Sequence, residues 1–197
     1  MKAPATGKRP GAWHRRLHRG REMKRTRTYD RRYEPCWERK AQYVVGGAVV
    51  TATPCAYCGE HAEHEEHLVP YSFLGRGNSA NSQQDNWWTW ILPACAQCNL
   101  IAQDQVFRSA SAKRSYIRKR LRAKYSDAFV QSEWSQEEIE ELGPSLRQFV
   151  VASQAVNDTA RQRVHYSGPL PVSVGSHGLQ AAVRAHYEKR EASWTSS

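Results

Sequence analysis

Four cysteines in two Cys-x-x-Cys pairs, Cys55/Cys58 and Cys95/Cys98, carry the clearest chemical meaning in this chain. Each pair offers two soft thiolates with the bite of a tetrahedral zinc ion, and two pairs complete a four-sulfur shell. Five cysteines is an odd number, and four of them fall in x2-spaced pairs. Metal ligation explains both features better than a disulfide framework does, and it suits a reducing compartment. The fifth, Cys36, is expected as a buried small hydrophobe. Gly59 follows the second cysteine directly, which suits a tight turn whose N–H groups approach the thiolates.

Residues 59–94 separate the two pairs, too many for a simple ribbon, so something folded sits between them. That insertion carries Glu66-His67, followed by the apolar exit Leu68-Val69-Pro70, and then Asn86; Asn99 comes directly after the last cysteine. Hydrolysis of a phosphodiester needs a base for water, a divalent cation for the phosphate charge, and groups that orient both. An imidazole titrates near ~6.5, so His67 suits the base. A carboxylate (Glu66) and an amide oxygen (Asn99) suit a hard ion such as Mg2+ or Mn2+. His61 and His64 lie in the acidic run EHAEHEEH and read as exposed polar residues.

The elements that must position these groups follow from pattern. Residues 44–53 (VVGGAVVTAT) are β-branched around a Gly pair and predict a strand or hairpin into the first knuckle. Residues 71–86 predict a loop, and 87–93 (WWTWILP) a short strand whose tryptophans are core. Asn99 is a good N-cap for a helix over 99–107. Ile117, Leu121 and Tyr125 share one face of a helix over 109–125. Ser135 and Glu138 fit a capping box, with Gly143-Pro144 as its stop. Residues 145–164 predict another amphipathic helix, 168–178 a linker, and 178–191 a short last helix. The order is strand, loop, strand, helix, in an α+β chain of 197 residues with one modest core.

The formal net charge of +10 is unevenly placed. Residues 1–40 hold 14 of the 29 basic residues and four of the 19 acidic ones, so the rest is neutral. Residues 1–28 lack apolar periodicity and predict a segment that does not order alone. Its arginines, Arg15 and Arg16 among them, suit phosphate neutralisation with counterion release, and Arg76 offers a cation in the loop. Residues 29–43 interleave aromatics with Arg31, Arg32, Arg39 and Lys40, which suits either a nucleic-acid backbone or packing onto the domain; Pro35 is expected to interrupt any helix there. Arg114, Arg118 and Arg122 form a stripe on the helix over 109–125, where eight Lys/Arg fall within 108–124 without an acid. No apolar run is long enough to span a membrane and no secretory h-region is evident, so a cytoplasmic protein is expected.

The order Cys-x2-Cys, Glu-His-x-x-Pro, Asn, Cys-x2-Cys-Asn resembles the HNH endonucleases, in their zinc-stapled ββα-metal branch. The likeness covers roughly residues 55–107. It implies a four-cysteine structural zinc site at Cys55, Cys58, Cys95 and Cys98, with His67 as general base. It further implies a catalytic Mg2+ or Mn2+ between Glu66 and Asn99, and Asn86 as the central Asn. Three positions depart from the family pattern: Glu66 stands for the usual Asp, Trp90 occupies the usual central Asn position, and Ala102 stands where a Lys is common. The likeness bears on the core alone; the expected organisation is a basic, partly disordered nucleic-acid-binding arm (1–43), an HNH ββα-metal core (44–107), a helical extension (108–166), and a linker, short helix and tail (167–197). The implied activity is metal-dependent cleavage of DNA in a bacterial or phage-infected cell, in the style of phage and homing enzymes. The alternative is a zinc-stapled protein that has lost catalysis and binds DNA, RNA or a larger nucleoprotein or phage assembly.

Overall fold

The computed structural model describes residues 30–74, 87–131 and 133–195. It is an α+β arrangement with two small sheets. The first sheet has the order β1-β5-β4, from β1 (Asp30–Arg32), β5 (Thr89–Ala94) and β4 (His64–His67). Strand β4 runs antiparallel to β5, with Glu66 opposite Leu92 and His67 opposite Ile91. Strand β1 runs parallel on the other edge, with Asp30 opposite Thr89.

The expected strand at 44–53 is a hairpin of β2 (Ala41–Val45) and β3 (Ala48–Ala52). Gly46 and Gly47 both take positive φ, 58° and 83°, as a two-residue turn matched to strand twist requires. The chain then reaches the first knuckle, closed by Cys55 N–H on the Glu60 carbonyl and Gly59 N–H on the Cys55 carbonyl. Pro93 in β5 lacks an N–H, but its carbonyl accepts the Ala56 N–H and ties this knuckle to the sheet.

Helix α3 (Ala96–Ala102) follows β5 directly. It is capped by the Cys95 sulfur, which accepts from the Cys98 N–H at 3.5 Å, so Asn99 lies inside the helix and not at its start. The helix also ends five residues before the expected Phe107, at Gln103 with φ 42°. Helix α4 (Ala110–Lys124) starts on the Ser109 side chain and buries Ala110, Lys113, Ile117 and Leu121. Helix α5 (Gln136–Glu140) has the expected capping box. Helix α6 (Pro144–His165) begins at Pro144, whose fixed φ suits the first turn, so the expected stop for one helix starts the next. Helix α7 (His177–Thr195) is longer than expected.

Of the two readings of residues 29–43 the structure shows packing onto the domain, and the expected linker is also part of the body. Residues 30–43 supply β1, the short helix α1 (Glu34–Trp37) and β2, with Pro35 inside the first turn of α1. Tyr33 packs edge-on against Trp90, Trp37 donates to the Ile91 carbonyl, and Arg31 stacks on Trp88. The supposed linker is a strap across the start of β5: Thr89 donates to the Val174 carbonyl, and Ser176 N–H to the Trp88 carbonyl. Burial of Leu68, Val69, Leu92, Ile117, Leu121, Val174 and Leu179 makes one continuous core. No described helix is long and apolar enough to cross a membrane.

Candidate metal centre and active site

The four paired cysteines converge. Their sulfurs all lie within 4.8 Å of one another, all four residues are buried, and none forms a disulfide. The Cys58 and Cys95 sulfurs are 3.6 Å apart. A tetrahedral Zn–S bond of ~2.3 Å gives an S···S edge of about 3.8 Å, so the cluster could hold a metal ion such as zinc. Hydrogen bonds from Cys55, Cys58 and Cys98 pull the Cys95 thiol down, while burial pushes Cys55 up. Thiol ligands give up their protons when they bind a soft dication.

This cluster frames β4, β5 and α3, the strand–strand–helix order expected from sequence. His67 ends β4 opposite Ile91, with its side chain 22% exposed. Its Nδ1 lies 3.1 Å from Asp30 Oδ1, reached from β1 across the intervening strand. The Tyr71 hydroxyl donates to the other oxygen of Asp30, and the Tyr71 ring lies 4.2 Å from the imidazole, centroid to centroid. Tyr71 opens the short helix α2 (Tyr71–Leu74), directly after the Leu68-Val69-Pro70 exit. An Nδ1–H held on a carboxylate leaves Nε2 as the basic atom of a neutral ring. Asp30 and Tyr71 were not singled out from sequence; the one signal was an acid standing alone in a basic stretch.

Glu66 departs from its expected place. Successive residues of a strand face opposite sides of the sheet, so pairing through His67 sends Glu66 to the other face. There it is 5% exposed, ion-paired to Lys113 of α4 through Oε1 and accepting from the Tyr57 hydroxyl through Oε2. Lys113, itself 0% exposed, also donates to the carbonyls of His67 (3.2 Å) and Leu68 (3.4 Å). Burial holds the Tyr57 hydroxyl pKa well above normal, so Tyr57 remains a donor to the carboxylate. Glu66 is thus paired on both oxygens and turned away from His67, while Asn99 lies in α3.

The basic stripe is also altered. Arg114 donates to the carbonyls of Ala56 and Gly168 (2.5 Å each), and Arg118 to the Tyr166 carbonyl. Arg114 fastens the first knuckle and the strap to α4, and Arg118 fastens the C-terminal end of α6, so the two are engaged by backbone carbonyls. Arg122 is exposed and lies 4.9 Å over the Phe129 ring. Arg15, Arg16, Arg76 and Asn86 lie outside the described residues. Trp90, at the expected central Asn position, is a packing residue against Tyr33 and Trp88.

No family model, no curated protein and no solved structure matches this chain. The likeness to HNH endonucleases rests on the motif residues themselves.

Proposed function

We propose that the protein is a zinc-stapled endonuclease of the HNH type that hydrolyses DNA phosphodiester bonds, with His67 as its general base. The observation that carries this reading is the His67–Asp30 contact on a sheet whose strand β5 runs into the four-sulfur frame. Asp30 orients the ring, and Nε2 takes a proton from water as the water oxygen bonds to phosphorus. The P–O bond to the leaving sugar oxygen then breaks, and that oxygen takes up a proton. A divalent ion such as Mg2+ or Mn2+, when bound, would supply charge neutralisation on the phosphate, and Glu66 would have to leave Lys113 to ligate it.

A second reading draws on the Glu66–Lys113 pair and on Trp90 in the central Asn position. Both suit a protein that keeps the zinc frame and binds DNA or RNA, or joins an assembly, without cutting. Incubation with supercoiled plasmid in Mg2+ and in Mn2+ separates the two readings. The nuclease reading expects nicking that falls roughly 10²–10⁴-fold in His67→Ala. Asp30→Asn should lower the rate with unchanged circular dichroism. Salt-dependent binding with no cleavage in either ion would establish the second reading instead, and equal activity in His67→Ala would overturn His67 as the general base.

A further inference from the structure

Helix α6 delivers Arg163, in its last turn, onto the sulfur cluster. Arg163 Nη2 lies 3.8 Å from Cys58 Sγ and 3.9 Å from Cys95 Sγ, one sulfur from each knuckle. Its Nη1 donates to the Tyr125 hydroxyl at 3.1 Å. That hydroxyl in turn donates to Gln97 Oε1 at 3.0 Å, and Gln97 lies between the two cysteines of the second knuckle. The guanidinium carbon sits 5.6 Å over the Tyr125 ring. Tyr125 therefore aims the fork through both its hydroxyl and its ring.

Four thiolates on one divalent cation carry two excess negative charges, and here they are buried. Such charge is costly in a low-dielectric interior unless a cation or N–H donors meet it. The neighbouring cations are engaged elsewhere: Lys113 on Glu66, and Arg114 and Arg118 on backbone carbonyls. A planar guanidinium can reach two sulfurs at once, which an ammonium on a flexible stem does less well.

The geometry points to Arg163 as the outer-sphere partner of the metal centre, donating N–H···S hydrogen bonds to Cys58 and Cys95 and offsetting the negative charge of a tetrathiolate on a soft dication such as zinc. Hydrogen bonds to a thiolate lower the energy of its lone pairs, and partners of this kind hold ligands in place. Because Arg163 belongs to α6, the same contacts fasten that helix to both knuckles. This role is independent of whether the protein cuts nucleic acid.

The test uses the full chain loaded with zinc and challenged with excess chelator, and in parallel the cobalt-substituted chain. Arg163→Gln should release metal about 10–100-fold faster, the range for loss of such partners. Its thiolate-to-cobalt charge-transfer band should move to lower energy, a change that loosened packing alone would not produce. Arg163→Lys keeps the charge and loses the fork, so it should fall between. If Arg163→Gln does not fold, Tyr125→Phe, which removes the hydroxyl that aims the guanidinium, should give a smaller change in the same direction in both readouts. Wild-type release rates with an unmoved band, in Arg163→Gln or in Tyr125→Phe where only that variant folds, would overturn the assignment.

Discussion

The Glu66 carboxylate and the Lys113 ammonium form an ion pair with both side chains essentially withdrawn from solvent. The pair joins the strand that ends in His67 to helix α4, and Lys113 extends the joint through the carbonyls of His67 and Leu68. A buried pair of this kind is weak evidence of net stabilisation, because desolvation of both charges opposes their attraction. Loss of one partner is another matter, since the other charge is left buried and unmatched.

Lys113→Met should therefore destabilise the protein by roughly 3–5 kcal/mol in urea unfolding. The double variant Lys113→Met with Glu66→Gln should recover a large part of that loss, since no charge remains unmatched. A double variant as unstable as the sum of the singles would show that the two side chains do not depend on each other. If the nuclease reading holds, the single variant also tests whether Glu66, once released, takes a divalent ion.

This joint was readable in the sequence and shows where the reading stopped short. Lys113, Ile117 and Leu121 lie at i, i+4 and i+8, so the apolar face of α4 continues onto Lys113. A lysine on a buried stripe calls for an acid partner. The period-two rule for strands likewise separates Glu66 from His67. What pattern could place, it placed: the helix over 109–125, the Ser135–Glu138 capping box and the turn at Gly46-Gly47 all depend on neighbours within a few residues. Strand β1 was not legible, because three charged residues carry no apolar alternation and their partner β5 is some 59 residues away. Helix α3 was misplaced because its cap is a cysteine sulfur, a role that cap preferences do not anticipate.

Cys36 gives a pH signature. It is buried beside the strap, with its thiol on the Pro169 carbonyl at 3.2 Å. Burial raises its pKa from 9.0 to about 11, against the opposing pull of Arg114 and Arg39. Between those two values the unfolded chain has lost the thiol proton while the folded chain keeps it, so stability falls as pH rises. Below about 9 both states hold the proton, and this contribution is constant. The urea midpoint of the wild type should thus fall more steeply from pH 9 to 11 than that of Cys36→Ala. Tyr43 and Tyr71, both raised to about 12, are common to the two proteins and cancel in the comparison. Parallel curves would mean that Cys36 ionises equally in both states.

Gly59 and Tyr166 are coupled by space. Gly59 has φ +79°, and a Cβ built there would lie 2.5 Å from Tyr166 Cδ2 and 2.8 Å from Cε2. The ring cannot simply retreat: Gly168 receives its other side, with Cε1 at 2.6 Å from a built Cβ, and Arg39 and Arg114 approach it as cations. Gly59→Ala should cost roughly 2–4 kcal/mol, adding left-handed backbone strain to an overpacked ring. Tyr166→Ala removes the obstacle but not the backbone strain, so the double variant should be more stable than the two single losses predict. Denaturation midpoints of the four proteins measure this coupling. Strict additivity would mean that backbone strain at Gly59 acts alone and that the Tyr166 ring yields freely.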